Sequence, residues 1–403
     1  MKRKTFSHLI LGLLLGCFPL STLMADNLPY WQDMHVTSIN KVPARTSFMS
    51  YPDRSTALEG SYEHSPYYRL LNGTWNFFFV DSYKQLPANI EKPGTNINWK
   101  TIQVPGNWEM QGYGVALYTN QPYDFQPRNP QPPQLPEANP VGVYQREFEV
   151  PADWAGRNIY LHLEGAKSGV YVYINGKEVG YNEDAKNPGE YLINDYLQGT
   201  KNHLVVKCYR YSTGSYLECQ DFWRISGIER DVYLFSQPKV AIQDFKVLST
   251  LDDSYKNGIF SVTVDINNQN DAEQQTTLAY ELLDAQGKSV ASGEQSLKVA
   301  HGVNAKAVTF KANLPNVQTW TSEQPNLYQL LLTVKDNNRT TEVVPYHVGF
   351  RKFEIKTINQ KSANGEPYIC FFINGQPIKL KGVNIHEHNP ETGHYVTEEL
   401  ESM

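Results

Sequence analysis

From Thr74 to Val334 the apolar residues come in short alternating or aromatic-rich runs, and no long stretch repeats with the 3.6-residue period of a helix. Alternation by two buries one face of a strand, so a chain of this kind must build sheets. The first group of runs is Thr74 to Val80, Val143 to Val150, Ile159 to Leu163, Val170 to Ile174, Leu204 to Tyr209 and Asp231 to Phe235. Asn175-Gly176, between two of them, suits a type I′ hairpin turn. These runs predict a mainly β fold, with an antiparallel jelly-roll sandwich over residues 26 to about 238. A proline-dense stretch from Gln121 to Pro140 interrupts the pattern without ending it, so it reads as a long functional loop.

Between about 239 and 350 the aromatics thin out and the strand rhythm becomes regular. Ile259 to Ile266, Thr277 to Leu283, Ala307 to Phe310 and Leu327 to Val334 alternate, broken by polar turns such as Asp284 to Gly287. Roughly seven strands in about a hundred residues is the size of an immunoglobulin-like sandwich. From Arg351 onward a hairpin over Phe371 to Leu380 leads to Leu380 to Asn384, expected as a buried strand. The polar, histidine-rich turn His386-Glu387-His388 follows, and Thr397 is a helix N-cap with Glu398 and Glu399 behind it. Strand, loop and helix start read as the first unit of a (β/α)8 barrel over 351 to 403, cut off at its beginning.

Residues 1 to 25 read as a signal segment. Lys2, Arg3 and Lys4 precede the apolar run Leu9 to Gly16, which is too short to span a bilayer. Cleavage after Ala25 and lipid attachment at Cys17 are two alternatives, the first preferred. No other stretch is apolar enough for a transmembrane helix. The net charge of −6 argues against a nucleic-acid backbone as partner. Cys208 and Cys219 would face each other if Thr213-Gly214 made a tight hairpin turn, which export would allow to be bridged; free thiols are the expected state.

His386, His388 and nearby His394 form the densest ionisable cluster. On a strand only His386 and His388 share a face, and two imidazoles are too few for a closed metal site. Asp221 either pairs with Arg224 or, beside Phe222 and Trp223, binds a sugar hydroxyl or a cation. The 26 Tyr, 17 Phe and 7 Trp suit stacking on a pyranose, but strand propensity accounts for most of them. No phosphate loop, Gly-x-Ser-x-Gly elbow or Cys-x-x-Cys motif is present.

Five segments in order carry a resemblance: Tyr118 to Asp124, Gly214 to Val232, Glu323 to Tyr328, Val348 to Arg351 and Lys381 to His388. Together they resemble the bacterial β-galactosidases of glycoside hydrolase family 2, from about residue 30 to the end. Gln220-Asp-Phe-Trp-Arg224 is similar to the galactosidase branch in particular. The resemblance implies a jelly-roll sugar-binding domain, an immunoglobulin-like domain and a catalytic barrel. It implies that Asn120, Asp221 and His386 contact galactose and that Asp221 helps hold a sodium ion. Most magnesium ligands and both catalytic glutamates of the family have no counterpart in this chain, and Cys219 stands where an acidic residue is expected. The implied parent is an exported, periplasmic or extracellular exo-β-galactosidase acting with retention on terminal β-galactosides, and this fragment is expected to be inactive alone. Self-association of the complete protein stays open. A non-catalytic carbohydrate-binding protein and an adhesion protein are the alternatives; neither needs the barrel start.

Overall fold

In a computed structural model, which describes residues 28–397 apart from Pro127 and Glu387, the strand rhythm becomes two sandwiches and a short third sheet. The signal segment and the helix start after Thr397 lie outside the described residues. Among the described residues the only α-helix is the six-residue Arg54–Glu59, capped by Asp53, whose side chain accepts from Thr56 N.

The first sandwich packs a seven-stranded antiparallel sheet on a four-stranded one. The larger runs Ser38–Ile39, Lys177–Asn182, Gly169–Ile174, Lys201–Tyr209, Val141–Glu149, Gly73–Val80 and Lys100–Val104; the smaller runs Gly189–Leu192, Asn158–Leu163, Val232–Gln237 and Tyr68–Leu70. Asn175 and Gly176 both take positive φ, 52° and 78°, as the type I′ turn requires. Trp75, Phe77, Trp108, Tyr144, Leu161 and Leu234 fill the space between the sheets. Each such side chain contributes about 1.5–3 kcal/mol on burial. Gly142 sits under this cluster because a Cβ there would lie 2.5 Å from the Trp108 ring.

The second sandwich has three strands, Val240–Leu251, Gly258–Asn268 and Gly302–Leu314, facing four, Ser289–Val299, Gln274–Leu283, Tyr328–Asp336 and Arg339–Val348. Phe260, Val262, Leu278, Leu330 and Phe350 lie in its core. A three-stranded sheet follows: Phe353–Lys361, Pro367–Ile373 and Gln376–Ile378. Its hairpin turns at Asn374-Gly375, as the sequence predicts.

The strand expected at Leu380 to Asn384 does not form. Leu380 and Val383 are 75 % and 89 % exposed, and no described strand lies alongside to take their backbone hydrogen bonds. A strand needs a neighbour for its N–H and C=O groups, and hydrophobic sequence alone does not supply one. The Cys208–Cys219 alternative also resolves. Thr213–Tyr216 is a 3-10 turn, not a hairpin, and Cys208, Cys219 and Cys370 are free.

A buried carboxylate fastens the two sandwiches together. Glu342 accepts from Ser50 Oγ, from Gln237 Nε2 at 2.9 Å and from Ile242 N at 2.8 Å. Tyr51 and Val343 exchange backbone bonds beside it. Three donors converge on one acceptor-only group. Glu342→Gln keeps the shape but turns an amide N–H₂ toward a donor, and an unsatisfied buried group costs about 1–3 kcal/mol. The unfolding free energy from urea titration at neutral pH should fall by that amount; an unchanged midpoint would refute the three-donor account.

Candidate functional site

Two short strands far apart in sequence make the ribbon that carries the site. Leu117–Thr119 pairs antiparallel with Phe222–Arg224, matching Thr119 to Phe222, Tyr118 to Trp223 and Leu117 to Arg224. Continued one position beyond the Thr119–Phe222 pair, the register sets Asn120 opposite Asp221, and both are exposed. Tyr118 O–H donates to Asp221 Oδ1 at 2.7 Å, and the carboxylate holds the phenol's pKa above its ordinary value.

The expected Asp221–Arg224 pair is not made. Residues three apart on a strand point to opposite faces. Arg224 turns inward, 3.7 Å from Asp124, and donates to the Gln121 carbonyl. Asp124 also accepts from Tyr211 O–H at 2.7 Å. Cys219 has its own task here: Tyr123 N–H donates to its sulfur, tying the proline-dense loop to the segment before Asp221.

The histidine-rich tail lies on this ribbon. His386 stacks on Phe222 with ring centroids 5.3 Å apart, and His388 stacks on Trp223 at 5.9 Å. His394 meets Phe222 at 5.3 Å, and Lys167 Nζ sits 4.8 Å from the same ring. Asn389 and Gly393 exchange backbone hydrogen bonds and close the turn between the histidines. Gly393 has φ 77°, and a Cβ there would lie 2.5 Å from Asn107 Oδ1.

What holds the tail down is buried in the first sandwich. His394 N donates to Asn107 Oδ1 at 2.8 Å, and His394 Nδ1 lies 2.9 Å from Glu229 Oε1. Asn107 Nδ2 donates to the same Glu229 oxygen at 3.1 Å, and Lys186 pairs with the other. Glu229 is held well below the ordinary carboxylate range: His394, Lys186 and Lys167 outweigh its burial. Burial keeps both His394 and Lys167 below their ordinary values. Beneath the ribbon, burial pushes Glu109 up to about 7 even though Arg210 pairs with it.

A cavity of about 410 Å³ opens beside the ribbon, lined among others by Lys167, Lys186, Glu218, Phe222, His386 and His394. Asp221 and Asn120 stand on the exposed ribbon end and do not line it. So the ribbon's register sets Asn120 opposite Asp221, while His386 packs on Phe222 beside the cavity that neither of them lines. Sequence reasoning missed Lys167, Glu229, Asn107 and Asp124. None of them belongs to a periodic or spaced pattern; Asp124 and Glu229 lie in segments that carry the family resemblance, and Lys167 and Asn107 do not. Among the described residues no three His, Cys, Asp or Glu side chains are grouped as a metal site.

Comparison with known proteins agrees with this architecture. Residues 68–238 match the model of "Glycosyl hydrolases family 2, sugar binding domain", and residues 240–351 match "Glycosyl hydrolases family 2". A beta-galactosidase of Priestia megaterium is 37% identical over 380 residues, 92% of this chain and 35% of the relative. One from Streptococcus thermophilus is 36% identical over 375 residues, 92% of this chain and 34% of the relative. The chain therefore spans about a third of the length of these curated relatives. Among solved structures, a Bacteroides uniformis beta-glucuronidase superposes with a TM-score of 0.67 at 20% identity, covering 83% of this chain and 37% of that one. A Bifidobacterium dentium beta-glucuronidase gives 0.63 at 18% identity, covering 83% and 54%. At that identity the superpositions speak to the fold alone. Two consecutive domain models, matched in order over the two sandwiches, carry the conclusion that this chain belongs to glycosyl hydrolase family 2.

Proposed function

We propose that this chain supplies the galactose-recognising part of an exo-β-galactosidase that acts with retention. The observation that carries the reading is the meeting of Asn120, Asp221 and His386 on one ribbon, in a chain whose curated relatives are named beta-galactosidase. An amide that donates and accepts, a carboxylate fixed by Tyr118 and an imidazole suit the hydroxyls of one terminal sugar. In the parent reaction one glutamate protonates the leaving oxygen while another attacks the anomeric carbon, and water then releases the sugar. The residues of this chain bind and orient; neither glutamate is assigned to it.

The sodium reading of Asp221 fits in part. One oxygen is taken by Tyr118, which leaves the other for a cation. Hard cations take about six oxygen ligands or more. Asp221 is therefore one ligand of a site completed by residues elsewhere in the enzyme, and no magnesium ligand is assigned here. A bound sodium ion would fix the orientation of a galactose hydroxyl. Export is part of the proposal, on the strength of the basic and apolar segments before residue 25. Among the described residues no helix is long and apolar enough to cross a membrane.

In a version of the protein that carries the whole barrel, Asn120→Ala, Asp221→Ala and His386→Ala should each lower kcat/KM. A hydrogen bond to a charged group is worth roughly 1.5–3 kcal/mol, so the loss is about ten- to a hundredfold. Unchanged kinetics with a lowered melting temperature would assign the three residues to stability and overturn the reading.

A further inference from the structure

We propose that the outer face of the first sandwich carries a second small-molecule site, separate from the Asp221 ribbon, that takes one neutral polyhydroxylated ring of monosaccharide size. It shares no lining residue with the cavity beside His386. The loop between Asn182 and Gly189 divides the two, since Lys186 lines one and Asn187 the other.

The floor is a row across three strands. Glu190, His162 and Tyr233 are successive cross-strand partners, and the Tyr233 ring lies flat on His162 at 4.2 Å. The roof is the irregular strap from Val42 to Phe48. Val42 N donates to the Glu190 carbonyl at 2.8 Å, and Arg45 grips the Glu190 carboxylate with two bonds of 2.8 Å. Thr46 ties the same strap to the second sandwich through Asp244 and the Phe245 carbonyl. Between roof and floor is a cavity of about 210 Å³.

The polar groups around this cavity divide into committed and uncommitted ones. Glu190 is used up by Arg45 and His162, so that cluster already balances its charge. Other groups are uncommitted: the phenols of Tyr62 and Tyr233, the carboxylate of Glu164 and the Nε2 of His162 hydrogen-bond to no described side chain or backbone group. Of these, His162 Nε2 is buried and has no hydrogen-bond partner, and the Tyr233 ring lies against that imidazole at the cavity wall. Buried polar groups are paired in most proteins. Burial raises the pKa of both phenols, with the nearby carboxylates adding to it, so both keep their protons.

Two O–H groups that donate and accept, one acceptor carboxylate and flat aromatic rings match a sugar, whose hydroxyls do both and whose C–H face is apolar. The negative charge of Glu164 opposes an anion. The volume falls below the roughly 300–1,000 Å³ of drug-sized pockets, so it suits one ring and not a chain.

The test is ligand-observed NMR and calorimetry on the whole chain, with galactose, glucose and tetramethylammonium as probes. It is run on Asp221→Ala, so that the ribbon site does not contribute. A sugar signal should persist in that background. Adding Tyr233→Phe and Glu164→Gln, both isosteric and so compatible with folding, should weaken it at least tenfold. No sugar binding to Asp221→Ala, or binding unmoved by the added substitutions, overturns the proposal, as does tighter binding of tetramethylammonium than of either sugar. If galactose binding is unmoved by Asp221→Ala but abolished by the added pair, the ribbon reading fails while this site stands.

Discussion

The purified 403-residue chain should leave a chromogenic β-galactoside unhydrolysed, at the rate of buffer alone. Retaining hydrolysis needs two carboxyl groups about 5–5.5 Å apart across the scissile bond. The carboxylates near the ribbon are mostly committed. Glu229 serves Asn107, His394 and Lys186; Asp124 serves Tyr211 and Arg224; Glu109 serves Arg210 and Ser226 N; Asp221 is bonded by Tyr118. Asp221 keeps an exposed oxygen, and Glu218 keeps a buried one without a hydrogen-bond partner while its other oxygen accepts from Ala185 N at 2.7 Å. Burial raises the Glu218 pKa, as a general acid requires, but the one other described carboxylate that lines a cavity with it, Asp124, is taken by Tyr211 and Arg224. A (β/α)8 barrel takes about 250 residues, and 53 run from Arg351 to Met403. Turnover that disappears on Glu218→Gln would assign catalysis to this chain and overturn the prediction. Sugar binding at the ribbon is a separate matter, because the first sandwich has its own core.

Replacing Glu229 with Ala should cost about 3–5 kcal/mol, the range for removing one partner of a buried ion pair. Lys186 contributes little to that figure, because its side chain is 46 % exposed and water takes over its charge. The cost comes from Lys167, whose charge stays buried with the carboxylate gone, and from Asn107 and His394, whose hydrogen bonds lose their acceptor. The same change frees the tail. Histidine NMR signals of His386 and His394 should move toward those of a mobile peptide, and proteases should cut between Ile385 and Tyr395. Glu229→Gln keeps the hydrogen bond to Asn107 and loses the charge, so it should fall between the two. Acid should imitate the substitution. Glu229 and His394 both have folded pKa values below their ordinary ones, so the unfolded chain binds more protons and stability rises with pH. The His394 part is lost as pH falls from 6.5, and the Glu229 part from 4.5 downward. A Glu229→Ala loss that stays constant from pH 7 to 4, or one under 1 kcal/mol at neutral pH, would show that this cluster does not hold the tail.

Several parts of the molecule were legible in the residues. Alternation marked the strands because a pleated backbone turns successive side chains to opposite faces, which is a property of a few adjacent residues. Asn175-Gly176 and Asn374-Gly375 marked their turns because few residues accept positive φ at both positions. The segment from Gln220 to Arg224 pointed to the family because it is a contiguous string. The strand expected at Leu380 to Asn384 failed for the complementary reason: its apolar residues gave the propensity, but the ladder had to come from a neighbour.

The sequence by itself determined that this chain builds antiparallel sandwiches and which family it resembles. Only the tertiary structure decided which charges meet. Arg224 was expected to take Asp221, three residues away, and instead takes Asp124, a hundred residues away, because a strand points them to opposite faces. His394 finds Glu229 across 165 residues, and Arg45 finds Glu190 across 145. A strand is written in the spacing of neighbouring side chains. A buried ion pair, and the pKa shifts that follow from it, depends on which surfaces the finished fold presses together and how much water it expels between them.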